Sequence, residues 1–175
     1  MLKIISIIIV LAITAVLIFA ASKPDSFRVQ RSITIKAPPE KVFAYLNNFH
    51  HWEAWSPWEK LDPAVKRIYG GAESGLGATY AWEGNSEVGQ GRMAIIESVP
   101  SSKLLLDIEF IKPFAAKNKV EFILAAEGEN TVVTQAMYGP SPYISKLMSL
   151  FFNMDKMVGG KYEQGLASLK LLAEK

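Results

Sequence analysis

Cysteine is absent from the 175 residues, which excludes disulfides and thiolate metal sites and leaves the redox compartment open. Histidine is scarce: His50 and His51 are the only two, and they are adjacent. Neighbouring positions point in different directions on a helix, and neither histidine belongs to an H-E-x-x-H string, so no metal site is expected. Long runs of one charge are missing as well. With 19 basic and 17 acidic residues the net charge is +2, and the electrostatic footprint of a nucleic-acid binder is not there. The string Gly89-Gln-Gly-Arg-Met-Ala94 matches the dinucleotide pattern, but Ile95-Ile96-Glu97 continues it as a strand rather than a helix. It reads as glycines at a bend in a sheet, and no cofactor is expected. Gly84-Asn-Ser-Glu-Val88 lacks the final glycine and the strand–turn–helix setting of a nucleophile elbow, so a serine hydrolase is not supported.

What the chain has in excess is apolar residues, half of the total, concentrated at the start. From Ile4 to Ala21 only Ser6 and Thr14 are polar and nothing is charged. As a helix this run is roughly 27 Å long, close to the roughly 30 Å of a bilayer's hydrocarbon core. A signal peptide is the competing reading, because Lys3 is a short basic region and Ala20-Ala21-Ser22 are small. The run is longer than the usual h-region, which favours a retained single-pass membrane anchor. The expected organisation is an anchor (or uncleaved signal) over 1–22, a short polar linker over 23–26, and one domain over 27–175. Lys23, Arg28 and Arg31 after the span lean toward a cytoplasmic domain, but folded domains translocate regardless of such charges, so the side stays open.

In the domain, Phe27 to Lys36 alternates as a half-buried strand: Phe27, Val29, Ile33 and Ile35 share one face, with Arg31 the exception. Pro38, Pro39 and Glu40 suit a helix's first turn, and Val42, Phe43 and Leu46 form its apolar stripe to about Asn48. An aromatic-rich loop with Trp52, Trp55 and Trp58 follows. From Val65 to Tyr138 short alternating segments are punctuated by Gly70-Gly71, Gly75-Leu-Gly77, Gly84-Asn85, Pro100-Ser-Ser and Glu127-Gly-Glu-Asn130, the pattern of an antiparallel meander. A bulge or bend is expected at Gly89 and Gly91. Ser141 as N-cap and Pro142 open a long C-terminal helical region. From Asp155 the set Val158, Tyr162, Leu166, Leu169 and Leu172 or Ala173 faces the sheet, and Gly159-Gly160 marks a kink or a close helix–sheet approach. The fold class is α+β, with helices on one face of a curved antiparallel sheet.

The pattern Val29-x-Arg-x-Ile-x-Ile-x-Ala-Pro-x-Glu-x-Val-Phe43, then Trp52-x-x-Trp-Ser-Pro-Trp58, Gly75-x-Gly77 and Tyr80-x-Trp82-x-Gly84 resembles the START-like (SRPBCC) superfamily. Its bacterial polyketide cyclase/dehydrase and lipid-transport branch is similar also in Gly89-x-Gly91-x-Met93, Thr131-x-Val133 and Lys161-Tyr-Glu-x-Gly165-Leu-x-x-Leu-Lys170. The resemblance spans about residues 27–172. It implies a helix-grip fold, a seven-stranded antiparallel sheet wrapped around a long C-terminal helix and enclosing an apolar cavity. It also implies lipids, sterols, polyketides or similar molecules as ligands, and a bacterial inner membrane for the anchor. Some members are enzymes and many of this branch have no assigned activity, so the fold does not give the function.

Trp52, Trp55, Trp58, Tyr80 and Trp82 either line a ligand pocket, which is typically aromatic with few polar groups, or pack the loop onto the sheet. Arg92, Met93, Phe122 and Tyr162 complete the expected ligand-binding set. Arg92 either orients a ligand carboxylate or phosphate or forms a salt bridge on the sheet face. His51 and Glu53 are weak catalytic candidates beside the tryptophans, needing a substrate proton within about 3 Å. The segment Tyr143–Met157 reads either as a lid or membrane-facing surface or as a plain core helix. Three functions follow: a membrane-anchored, non-catalytic binding domain for a hydrophobic small molecule or lipid; a cyclase or hydrolase acting in the same cavity; and a membrane-tethered domain that binds a protein partner.

Overall fold

The structure, a computed structural model, describes residues 2–175. An apolar helix, α1 (Leu2–Ala21), precedes the domain; it is long and apolar enough to cross a membrane, and most of its side chains are exposed. Strand β1 (Ser26–Ile35) follows, then α2 (Pro39–Leu46) and the short α3 (Trp52–Trp55) between two 3-10 turns, Phe49–His51 and Trp58–Lys60. Six strands come next: β2 (Lys66–Gly71), β3 (Ala78–Glu83), β4 (Gln90–Val99), β5 (Lys103–Lys112), β6 (Ala116–Glu127) and β7 (Asn130–Pro140). Helices α4 (Tyr143–Met148) and α5 (Met154–Ala173) close the chain. All neighbours are antiparallel and the sheet order is β1-β7-β6-β5-β4-β3-β2, so the first and last strands pair while the rest form a meander. This is the α+β, helix-grip arrangement that the alternation and the resemblance led us to expect.

Curvature comes from β4, where the register with β5 shifts between Gln90 and Gly91 and again between Ile95 and Glu97. The first shift lies at the expected glycines. The second, at Ile96, carries no glycine and left no mark in the sequence. Each bulge bends its strand and increases the local twist.

The aromatic segment differs from the loop expected of it. Trp52 Nε1 donates to the Leu46 carbonyl at 2.9 Å and Trp55 Nε1 to the Tyr45 carbonyl at 3.3 Å. Those are carbonyls of α2's last turn, which have no partner within their own helix. The tryptophans thus cap α2, and the chain between them stays coiled in short helical turns. Both rings meet Phe122 edge-on, at 6.0 and 6.1 Å between centroids.

The C-terminal helical region is interrupted. Pro142, one residue later than expected, is the N-cap of α4, and Ser141 instead donates its backbone N–H to the Asp25 carbonyl at 2.7 Å. α4 ends after Met148, and α5 restarts with Asn153 as N-cap, its side chain accepting from the Lys156 N–H at 3.0 Å. The α5 stripe Tyr162, Leu166, Leu169 and Ala173 is buried as its spacing predicts.

Arg31, the exception on the apolar face of β1, clamps α5 to this edge of the sheet. Its Nε donates to Glu163 Oε1 at 2.5 Å, and its terminal nitrogens donate to the two Asp155 carboxylate oxygens at 2.9 Å each. The guanidinium holds the Asp155 carboxyl below the ordinary carboxylate range. Gly159 makes room for the clamp, since a Cβ there would collide with the guanidinium, whereas one at Gly160 would meet nothing within 4 Å. The glycine pair therefore marks a close approach, and α5 runs through it as one unbroken helix.

These two glycines predict opposite outcomes. Gly160→Ala gains helix propensity and should stabilise the protein by up to about 1 kcal/mol. Gly159→Ala should lose that gain to a displaced Arg31. Chemical denaturation of the two variants checks it, and equal stabilisation by both would refute the clamp.

Candidate functional site

Because α5 lies against β1, α2 and α3, it leaves part of the concave face of the central strands uncovered. The space is a cavity of about 310 Å³, at the small end of the range for ligand sites. Its walls are Trp52 of α3, Trp58 and Glu59 of the following turn, Tyr80 and Trp82 of β3, Met93 of β4, Ile108 and Phe110 of β5, Val120 of β6, Gln135 and Met137 of β7, and Val158 and Tyr162 of α5. Glu87, Lys112 and Pro113, all exposed, stand at its mouth. A smaller hollow of about 210 Å³, beside the stacked pair His50 and Tyr69, lies outside these walls.

Aromatic rings give the cavity its shape. Trp82 stacks on Tyr80 at 6.0 Å and meets Phe110 edge-on at 6.1 Å, while Trp58 meets Tyr162 edge-on at 5.7 Å. Trp82 Nε1 donates to the Val88 carbonyl at 3.0 Å. Its ring lies over Gly91, where any Cβ would run into it. This is the role of the second glycine in the dinucleotide-like string: it seats a wall residue, with no helix following it.

Polar groups in the walls are few: Ser56, Glu59 and Gln135, of which Glu59 heads a network. Glu59, whose side chain is 8% exposed, accepts from the Tyr80 hydroxyl at 2.6 Å and from Arg67 Nε at 2.7 Å. Burial first, and then the Glu59 carboxylate, push the Tyr80 hydroxyl well above its ordinary pKa, so it stays protonated and donates. Burial does the same to the Tyr162 hydroxyl. Glu59 in turn keeps Arg67 firmly charged. Gln135 takes the core-facing register between Val133 and Met137 and is 3% exposed. Its Oε1 is the one buried side-chain polar atom without a hydrogen-bond partner among the described residues.

Of the residues expected to bind ligand, Trp52, Trp58, Tyr80, Trp82, Met93 and Tyr162 come together around the cavity. Trp55 and Phe122 do not line it; both are fully buried behind the wall, where they support Trp52. Arg92 is on the outer face, its Nε donating to Glu109 at 2.7 Å, so the salt-bridge alternative holds for it. His51 is exposed, with Nδ1 2.9 Å from the Ala44 carbonyl, and Glu53 is exposed with Arg67 4.0 Å away. Neither reaches the cavity. Glu59 and Gln135 were not singled out from the sequence. Gln135 had a signal there, a polar residue in phase with Val133 and Met137; Glu59 had none in its neighbourhood.

The family model described as polyketide cyclase / dehydrase and lipid transport matches residues 26–174. The chain belongs to that family. Solved structures share the same architecture at low identity. Protein CV1439 from Chromobacterium violaceum is 14% identical with a TM-score of 0.60, over 87% of this chain and 99% of its own. Protein MLL2253 from Mesorhizobium loti is 17% identical with a TM-score of 0.62, over 83% of this chain and 96% of its own. The di-domain ARO/CYC protein StfQ of the steffimycin biosynthetic pathway is 10% identical with a TM-score of 0.61, over 85% of this chain and 51% of its own. No curated protein matches the sequence.

The Glu59 network predicts a large, compensable loss. Arg67→Ala strands a mostly buried carboxylate, left with the Tyr80 hydroxyl alone, and should cost up to about 3–5 kcal/mol. Adding Glu59→Gln should return a good part of it. Denaturation midpoints of the single and double variants test the coupling, and simple additivity would disprove it.

Proposed function

We propose that the protein is a membrane-anchored binding domain for a hydrophobic small molecule or lipid, held in the cavity between the tryptophan turns, the sheet and α5. The observation that carries this reading is the cavity wall itself: mostly rings and aliphatic side chains, with the Glu59 carboxylate already paired and one buried amide oxygen, Gln135 Oε1, left unpaired. An unpaired buried acceptor costs about 1–3 kcal/mol, and a polar group on an otherwise apolar ligand would satisfy it. α1 serves as the anchor, and residues 22–25 join it to β1.

A second reading, ring closure of an apolar substrate as the name of StfQ suggests for that protein, is favoured by the Glu59–Tyr80 pair in the wall. Tyr80 would act as a hydrogen-bond donor to a substrate carbonyl by turning its single hydroxyl proton away from Glu59, and His51 and Glu53 would take no part. Tyr80→Phe should then abolish turnover of a cyclisable substrate while leaving ligand binding within a few fold.

For the binding reading, full-length protein in nanodiscs is loaded from a bacterial lipid extract and analysed by native mass spectrometry. One apolar ligand per chain is expected, and Met93→Trp, which fills the cavity, should remove it. Gln135→Leu should raise the stability of the empty protein and weaken the ligand about tenfold, the loss of one hydrogen bond of about 1 kcal/mol or more. A protein that carries nothing from any extract, with Gln135→Leu unchanged in stability, would sink the proposal.

A further inference from the structure

The sheet register places several features at one end of the molecule. Ser26 of β1 pairs with Pro140 of β7, Lys119 of β6 with Tyr138 of β7, Ala116 of β6 with Phe110 of β5, and Gln90 of β4 with Lys112 of β5. That end therefore carries the start of β1, the start of α4, the β5–β6 hairpin tip and, with Lys112 and Pro113, the cavity mouth. The end of α1 is there too, and it is tied down. The Tyr143 hydroxyl donates to the Leu17 carbonyl at 3.1 Å, and Lys146 Nζ, almost wholly buried, donates to Asp25 at 2.6 Å.

Large apolar side chains are exposed on the β5–β6 tip, on α4 and on the segment that leads from α4 into α5. Phe114 at the hairpin tip is 67% exposed, Ile144 61%, Phe151 73%, Phe152 56% and Met157 60%. Met157 adjoins the wall residue Val158, and Phe114 adjoins the mouth residue Pro113. A core helix over 143–157, one of the two readings of the sequence, is excluded by these exposures.

We propose that this rim sits in the interfacial layer of the bilayer that holds α1, so that the cavity mouth faces lipid and the ligand passes between membrane and cavity without crossing water. The inference rests on α1 as the anchor and on the cavity as the ligand site. Depth is what selects a bilayer over other apolar partners. Leu17 lies four residues before the end of α1, so with α1 spanning, its carbonyl is about 6 Å inside that end. A tyrosine bonded to it is at the depth where amphipathic interfacial helices lie, about 5–10 Å into the headgroup–acyl boundary. Exposed Lys112 and Lys117 flank Phe114, the placement expected of cations meeting lipid phosphates.

The chain's lack of cysteine permits single nitroxide labels on the full-length protein. Phe114→Cys, Phe151→Cys and Ile144→Cys, with Glu129→Cys on the opposite hairpin as control, are reconstituted in phosphatidylethanolamine–phosphatidylglycerol vesicles. Collision of the labels with oxygen and with a water-soluble nickel chelate is then measured. The rim labels should favour oxygen by several fold and the control the chelate. Chelate access at all rim positions would overturn the proposal, as would protection from both reagents, the signature of a protein partner or a second copy. In a second arm, Phe151→Asp/Phe152→Asp should slow extraction of a nitrobenzoxadiazole-labelled fatty acid from vesicles at least tenfold, with its affinity in detergent unchanged. An unchanged extraction rate refutes transfer at the rim. If the probe binds neither protein, the ligand reading falls instead, and the label depths alone decide the docking.

Discussion

The position of α5 decides what kind of molecule this is. Arg31 reaches out of the apolar face of β1 and takes two carboxylates of α5, and Gly159 lets the helix come close enough for it to do so. A helix held at one edge of a seven-stranded curved sheet covers only part of the concave face. The remaining area has to be met by something, and the chain meets it with rings from the tryptophan turns and leaves a space between. Centring the helix would close that space, so the clamp and the cavity are two aspects of one placement.

The walls show a consistent division of labour. Trp52 and Trp55 look alike in the sequence, and both donate their indole N–H to the end of α2, yet only Trp52 reaches the cavity while Trp55 braces it from behind with Phe122. The one buried carboxylate in the wall is already occupied by Arg67 and Tyr80, which removes most of its capacity to act on a bound molecule. The unoccupied polar atom is an amide oxygen, which neither carries charge nor readily accepts a proton. On the proposed binding reading, such a wall would select mainly by shape and by few hydrogen bonds.

Much of this was legible in the sequence because it depends on local period. The alternation from β1 to β7, the α5 stripe and the apolar α1 are periodic signals, and the structure has them where the sequence puts them. The glycines were legible in kind: a bend at 89–91, and at 159–160 a kink or a close approach, of which the structure has the second, at Gly159. What escaped were features set by partners far away in the chain. Arg92 is an apparent ligand group until its neighbour across the sheet, Glu109, is known. His51 stands beside three tryptophans in sequence, but the turn that buries Trp52 rotates it outward. The second bulge of β4 falls on an isoleucine with no turn chemistry of its own. The tryptophan segment reads as a loop because its order comes from indoles capping a helix that ended six residues earlier.

Asp25 has a consequence for traffic. Only residues 22–25 separate α1 from β1, at most about 14 Å of chain, and Asp25 is itself bound through both its carbonyl and its carboxylate to the α4 region. With α1 in a bilayer, the domain has no tether to pay out. On the proposed reading, cargo taken up here would not be released into the bulk by a roaming carrier; whatever accepted it would have to lie in the same membrane or come to its surface. Encounter between donor and acceptor then becomes a two-dimensional search at high effective concentration, governed by lateral diffusion rather than by how tightly the cavity holds on in water.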